Sequence, residues 1–167
     1  DCSDGTEAIA REAGAVTVCT SIRDVSVART AGADMAVWAG ARWLAFVNAH
    51  AVVDEDWLAA QLAARADVVC GRTALHDAPP PVPAAGGAGV HAGNFGVSSA
   101  TYCKSAGFSS CIDEDDRALG RALEATGALI VHSDAVSAIA SGHGAYRPVV
   151  DRPANDRFGG APHAQAA

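Results

Sequence analysis

The chain has 167 residues; half are hydrophobic but only 5% are aromatic, so much of any core is built from alanine and valine. With 19% charged residues and a net charge of −7, it lacks the clustered Lys and Arg that a nucleic-acid surface or a polybasic membrane contact needs. No apolar run approaches the roughly 18–20 residues of a membrane span, and Asp1-Cys2-Ser3-Asp4 carries neither the basic nor the apolar part of a signal peptide.

In chain order, Asp4-Gly5-Thr6 caps a short helix over Glu7 to Ala13 that Gly14 stops. Val16 to Cys19 is predicted to be a strand from its β-branched residues. Asp24 caps a helix over Val25 to Ala33. Arg42 to Val47 has the composition of a buried strand, and Asp54-Glu55-Asp56 starts a helix running to Ala64, with its acids favoured by the helix dipole. Asp67 to Gly71 is another short strand. Asp77 to Gly89, rich in Pro and Gly, is a loop. Val90 to Val97 resumes strand character, Ser98 to Ala106 and Asp116 to Thr126 are helical, and Ala128 to His132 and Val136 to Ala140 are two late strands. Beyond Gly142 the hydrophobic period is lost. The expected organisation is an α/β domain over 1–142 and a loop or disordered tail over 143–167, because strands alternate with helices.

The five cysteines, Cys2, Cys19, Cys70, Cys103 and Cys111, form no Cys-x-x-Cys pair and read as small buried thiols in a reducing cytoplasm. The expected location is the cytoplasm or the periphery of a membrane.

Three places could carry chemistry. Asn48 and His50 follow the apolar strand and fall on one side of an extended segment, at the strand end where open α/β sheets bind ligands; a plain turn into the next helix reads the same way. Asp113-Glu114-Asp115-Asp116 opens a helix, where mutual repulsion raises a carboxylate pKa and suits a general base; solvated dipole-favoured acids are the alternative. In His91-Ala92-Gly93-Asn94-Phe95-Gly96 the two glycines allow close backbone approach to a ligand, or simply a tight bend. His76, His132, His143 and His163 read as surface or loop residues.

Taken together, these segments resemble the family-two glycosyltransferases up to about Arg147. Asp1-Cys2-Ser3-Asp4-Gly5-Thr6-Glu7 resembles the Asp-rich turn and helix after that family's second strand. Val27-Ala28-Arg29-Thr30-Ala31-Gly32 resembles its AARxxG helix, and Trp43 to Leu58 the segment with the metal-binding Asp-x-Asp. His91 to Val97 resembles its HGANxGV stretch, Ala106-Gly107-Phe108 its GGF turn, and Asp115-Asp116-Arg117-Ala118-Leu119 its Glu-Asp helix opening.

The resemblance implies the GT-A fold, a Rossmann-like mixed, mainly parallel sheet flanked by helices. The family's first strand-helix-strand segment would lie before Asp1, which implies a truncated sequence, parts supplied by another chain, or a degenerate remnant; the edges left open would favour pairing with a second copy or a complementing chain, or instability. It implies inverting transfer of a sugar from a nucleotide diphosphate sugar to an unidentified acceptor hydroxyl. The alternative is a catalytically inactive nucleotide-sugar or carbohydrate binding module. Asp116, or else Asp115, would be the base, and a one-residue slip would use Glu114-Asp115. Asn48 and His50 would face the diphosphate or its Mn²⁺ or Mg²⁺. Asp1 and Asp4 would lie near the nucleotide, Arg29 would neutralise phosphate, and His91 and Asn94 would approach a sugar. Three departures stand out. Asn48-Ala49-His50 replaces Asp-x-Asp and weakens any Mg²⁺ site, although His50 suits a transition ion. Asp115 stands where the family has Glu, and Ser141-Gly142-His143 lacks the Arg of the family's SxR element.

Overall fold

Local capping decides where the helices begin. In a computed structural model, which describes residues 4–22, 24–75, 90, 93–108 and 115–140 (the backbone alone at 75 and 115–117), Asp24 accepts from Ser26 N at 2.7 Å and Val27 N at 3.2 Å. These bonds satisfy orphan donors of helix α2, Val25–Trp38. Helix α1, Thr6–Glu12, is entered through Gly5 at φ 74°, and Asp4 Oδ1 accepts from Thr6 N at 3.2 Å and Thr6 Oγ1 at 2.6 Å. No residue of α1 is buried. Helix α3 is Trp57–Ala63. Ser98 caps α4, Ser99–Lys104, by accepting from Thr101 N at 3.2 Å. Helix α5, Asp115–Ala125, ends before Gly127 at φ 75°.

Several boundaries differ from expectation. Helix α2 runs past Ala33 through Asp34–Trp38, since nothing before Gly40 (φ 87°) breaks it. Helix α3 starts at Trp57 rather than Asp54, because Ala51–Val53 forms an unpredicted strand, β2, and Asp54 O accepts from Trp57 N at 3.0 Å. Val16 to Cys19 forms no strand: it has no ladder partner among the described residues, and Val16 is 80% exposed. The loop expected over 77–89 and the tail over 143–167 lie outside the described residues.

The remaining strands are β1 (Trp43–Val47), β3 (Val68–Leu75), β4 (Asn94–Ser98) and β5 (Ile130–Ala140). They form one sheet with β2 in the order β1-β4-β3-β5-β2. The expectation of a mainly parallel, Rossmann-like GT-A sheet flanked by helices is overturned. Among the described residues only β3–β5 is parallel; β1–β4, β3–β4 and β2–β5 are antiparallel, in a mixed, nearly closed, barrel-like sheet whose ends β1 and β2 share no ladder. A parallel neighbour needs a crossover of a dozen or more residues, usually a helix, whereas an antiparallel neighbour can return directly. The sequence reading placed only a loop between β3 and β4, and β4 runs back antiparallel between β1 and β3.

The two late strands are one, β5, broken by a bulge. Gly71 pairs with Ser133 and Arg72 with Ser137, so Asp134 to Val136 are extra on the β5 side.

Alternation along the strands gives the sheet two apolar faces. Leu44, Phe95, Val97, Val68 and Cys70 pack with Ala33 of α2, Tyr102 of α4 and Leu119 and Leu123 of α5. On the other face Val69 and Val136 pack against Trp57 of α3, with Trp43 and Val53 beside them. Phe46 stacks on Phe95 with ring centroids 4.7 Å apart, and Phe108 meets Phe46 edge-on at 5.2 Å.

Candidate functional site

Strands β1, β3 and β5 run in one direction, and β4 and β2 in the other. The carboxyl end of β1 therefore lies beside the start of β4. Asn48 N donates to Gly93 O at 3.1 Å, and Ala51 N donates to Asn48 O at 3.0 Å across the turn that carries His50. Asn48 and His50 are both half-buried. Arg29 of α2 reaches this tip: its Nη2 donates to Asn48 Oδ1 at 3.1 Å, and its guanidinium lies 5.6 Å from the centre of the Phe108 ring. The fold thus joins two of the expected residues, Arg29 and Asn48, with His50 in the adjoining turn.

A divalent cation does not fit this arrangement. The amide oxygen that would have to ligate the ion already accepts from a guanidinium, and a second positive charge there is repelled. Among the described residues no group of three His, Cys, Asp or Glu is placed to hold a metal. The same geometry suits an anion, since an arginine fork matches phosphate oxygens.

The glycines of His91-Ala92-Gly93-Asn94-Phe95-Gly96 make room for protein side chains. A Cβ on Gly93 would meet Asn48 Nδ2 at 2.5 Å, and one on Gly96 would meet Trp43 Nε1 at 2.6 Å and the Gln61 Oε1 bonded to it. That Trp43–Gln61 hydrogen bond, 2.9 Å long, crosses over Gly96.

Asn94 does not face a ligand. It is 1% exposed; its Oδ1 accepts from Trp57 Nε1 at 2.9 Å, and its Nδ2 donates to Arg72 O at 2.9 Å and Val136 O at 3.1 Å. The amide ties β4 to β3, β5 and α3 at the bulge. Sequence reasoning missed this because its partners lie 22, 37 and 42 residues away.

Asp4 turns its carboxylate into the first turn of α1, and the two bonds from Thr6 hold it below the usual carboxylate range. Asp1 and His91 lie outside the described residues, and of Asp115 and Asp116 only the backbone is described, as the opening of α5. Leu119 and Leu123 of that helix share the core with Phe108, which places α5 on the same face of the sheet as Arg29. Two residues of the expected motifs, which were given no contact with this strand tip, also shape the site: Phe108, under Arg29, and Gly93, under Asn48.

The thiols differ from the expectation of uniform burial. Cys70 is buried in β3, whereas Cys19 and Cys103 are exposed. Burial pushes the Cys70 thiol up to about 11, so it stays protonated at pH 8 while ordinary thiols begin to ionise. Labelling with a thiolate-selective reagent at pH 8, mapped by mass spectrometry, should modify Cys19 and Cys103 in the folded protein and Cys70 only after denaturant is added. Equal rates at all three would contradict this packing.

Comparison of the chain with protein-family models, with curated proteins and with solved structures finds no match.

Proposed function

We propose that the chain binds the diphosphate of a nucleotide sugar at the tip of β1 and acts in glycosyl transfer of the kind its sequence resembles. The observation that carries this reading is the Arg29 guanidinium held on Asn48 Oδ1 and over Phe108. A cation already aimed at the end of a strand meets a diphosphate without the entropy cost of ordering a free side chain. Arg29 offsets the charge that grows on the leaving diphosphate as the bond from the anomeric carbon to the phosphate oxygen breaks. The acceptor hydroxyl forms the new bond from the opposite face, and its proton passes to the carboxylate of Asp116. Arg29 takes the part that a metal ion plays in a site with paired carboxylates.

The second reading is a binding module without transfer. It is favoured by Asn48 and His50, neither of them a carboxylate, standing where the resembled family carries two aspartates.

Calorimetry with UDP- and GDP-sugars, with Mn²⁺ or with a chelator, tests the reading. Binding should be the same in both conditions, and Arg29→Ala should weaken it by about ten- to a hundred-fold, the worth of a charged hydrogen bond. Absence of binding, or binding only with Mn²⁺, would overturn it. Turnover that disappears in Asp116→Asn with affinity retained marks the enzyme; binding with no turnover in the unmodified chain marks the module.

A further inference from the structure

Ser26, Thr30 and Asp34 recur every fourth residue along α2, so the three side chains share one flank of the helix. With Val27, Ala31 and Phe108 they line a cleft of about 340 Å³, at the small end of the range for small-molecule sites. Phe108 is also the ring beneath the Arg29 guanidinium, so the cleft adjoins the tip of β1.

The Tyr102 hydroxyl of α4 lies against this cleft. Tyr102 is 3% exposed, and among the described residues no group hydrogen-bonds its hydroxyl. Most buried side-chain polar atoms in folded proteins have a partner, so this one calls for an explanation. The oxygen sits at the turn before Phe108: a Cβ on Gly107 would meet it at 2.7 Å. Burial pushes the phenol's pKa up; the nearby Thr30 hydroxyl offsets part of the rise, the Asp34 carboxylate adds to it, and the Phe108 backbone again opposes it. Neither Thr30 nor Phe108 reaches hydrogen-bond geometry with it. Thr30, Asp34 and Phe108 all line the cleft, so the phenol is directed at the cleft floor.

We propose that this cleft binds a neutral, hydroxyl-rich ligand, a monosaccharide or an open-chain polyol, through Asp34, Thr30 and Tyr102. A carboxylate only accepts, whereas a hydroxyl both donates and accepts, so Asp34 takes ligand hydroxyls as donors while Thr30 and Tyr102 serve either role. A ligand hydroxyl entering beside Thr30 gives the phenol the partner it lacks. Phe108 offers an apolar wall to the C–H groups of a sugar. Ions of either sign are disfavoured: Asp34 repels an anion, and Arg29 over Phe108 repels a cation. In glycosyl transfer a sugar held here is the acceptor, beside the diphosphate at Arg29. That role rests on the reading above; the binding site does not.

Titration of the ¹⁵N-labelled 167-residue chain with glucose, galactose, mannose or sorbitol, followed by NMR, tests the site. At least one should shift the amides of Thr30, Ala31, Asp34 and Phe108 saturably at millimolar concentrations. Response to the hexoses alone marks a sugar site, and response to sorbitol as well marks a polyol site. Asp34→Asn should weaken binding about tenfold or more, the worth of a charged hydrogen bond, and Tyr102→Phe about two- to tenfold. Tyr102→Phe should also keep or raise the urea midpoint, because it removes a buried hydroxyl that no described group bonds. No saturable shift with any of the four, saturation by tetramethylammonium or inorganic phosphate instead, or unchanged affinity in both variants would each overturn the site. Calorimetry with inorganic pyrophosphate reads Arg29 separately. Sugar binding without pyrophosphate binding keeps this cleft and removes its acceptor role; pyrophosphate binding without sugar binding removes the cleft site and leaves the diphosphate reading.

Discussion

Replacing Asn94 by leucine should lower the unfolding free energy by about 3–5 kcal/mol, the range for breaking a buried hydrogen-bond network. The side chain is similar in volume, so the loss is polar. Trp57 Nε1 is left without its acceptor, and the carbonyls of Arg72 and Val136 without the donors that bridge the β-bulge. Unfolding in urea, followed by tryptophan fluorescence, measures the change. A loss below about 0.5 kcal/mol, the scale of an ordinary surface substitution, would show that the bracket contributes little. Aspartate is no substitute, because the two carbonyls need donors. A carboxylate facing them is destabilised, so the introduced carboxyl has a raised pKa in the folded state. Asn94→Asp should therefore be least destabilised below pH 4, where both folded and unfolded forms are protonated, and lose stability as pH rises. A pH-independent deficit would mean that water reaches the site.

Gly71→Ala should cost about 3 kcal/mol or more, by overpacking against atoms that cannot retreat. The added methyl would overlap Val136 O, a backbone atom of the bulge, and approach Asn94 Nδ2 at 2.5 Å and Cγ at 2.7 Å. Relief requires opening the parallel β3–β5 ladder or expelling the Asn94 amide. Gly32→Ala is the control. Beyond its chain neighbours and the backbone of α2 itself, no atom lies within 4 Å of its added methyl, and alanine in a helix interior gains about 0.5–1 kcal/mol over glycine. Equal effects at the two positions would contradict the close approach at Gly71. Since Gly71 and Asn94 share the bulge, the double variant should cost less than the sum of the single ones.

The Asp24 cap, the short helix that Gly14 follows and the helix expected over 116–126 were legible because each depends on residues within a turn of itself. So was the apolar strand ending at Asn48 and His50, which composition marks without any partner. Pairing was not legible. Whether Val16 to Cys19 joins a ladder, whether β4 runs with or against its neighbours, and whether two late strands are one bulged strand all depend on chain that returns from far away. The same divide separates the polar residues. From sequence, Asn48 and Asn94 look alike as polar side chains near strand ends. The fold buries Asn94 among two carbonyls and an indole, and leaves Asn48 half-buried beside Arg29. Hydrogen-bond capacity is a property of the residue, but its use is set by which distant groups the packed sheet brings within 3 Å or so.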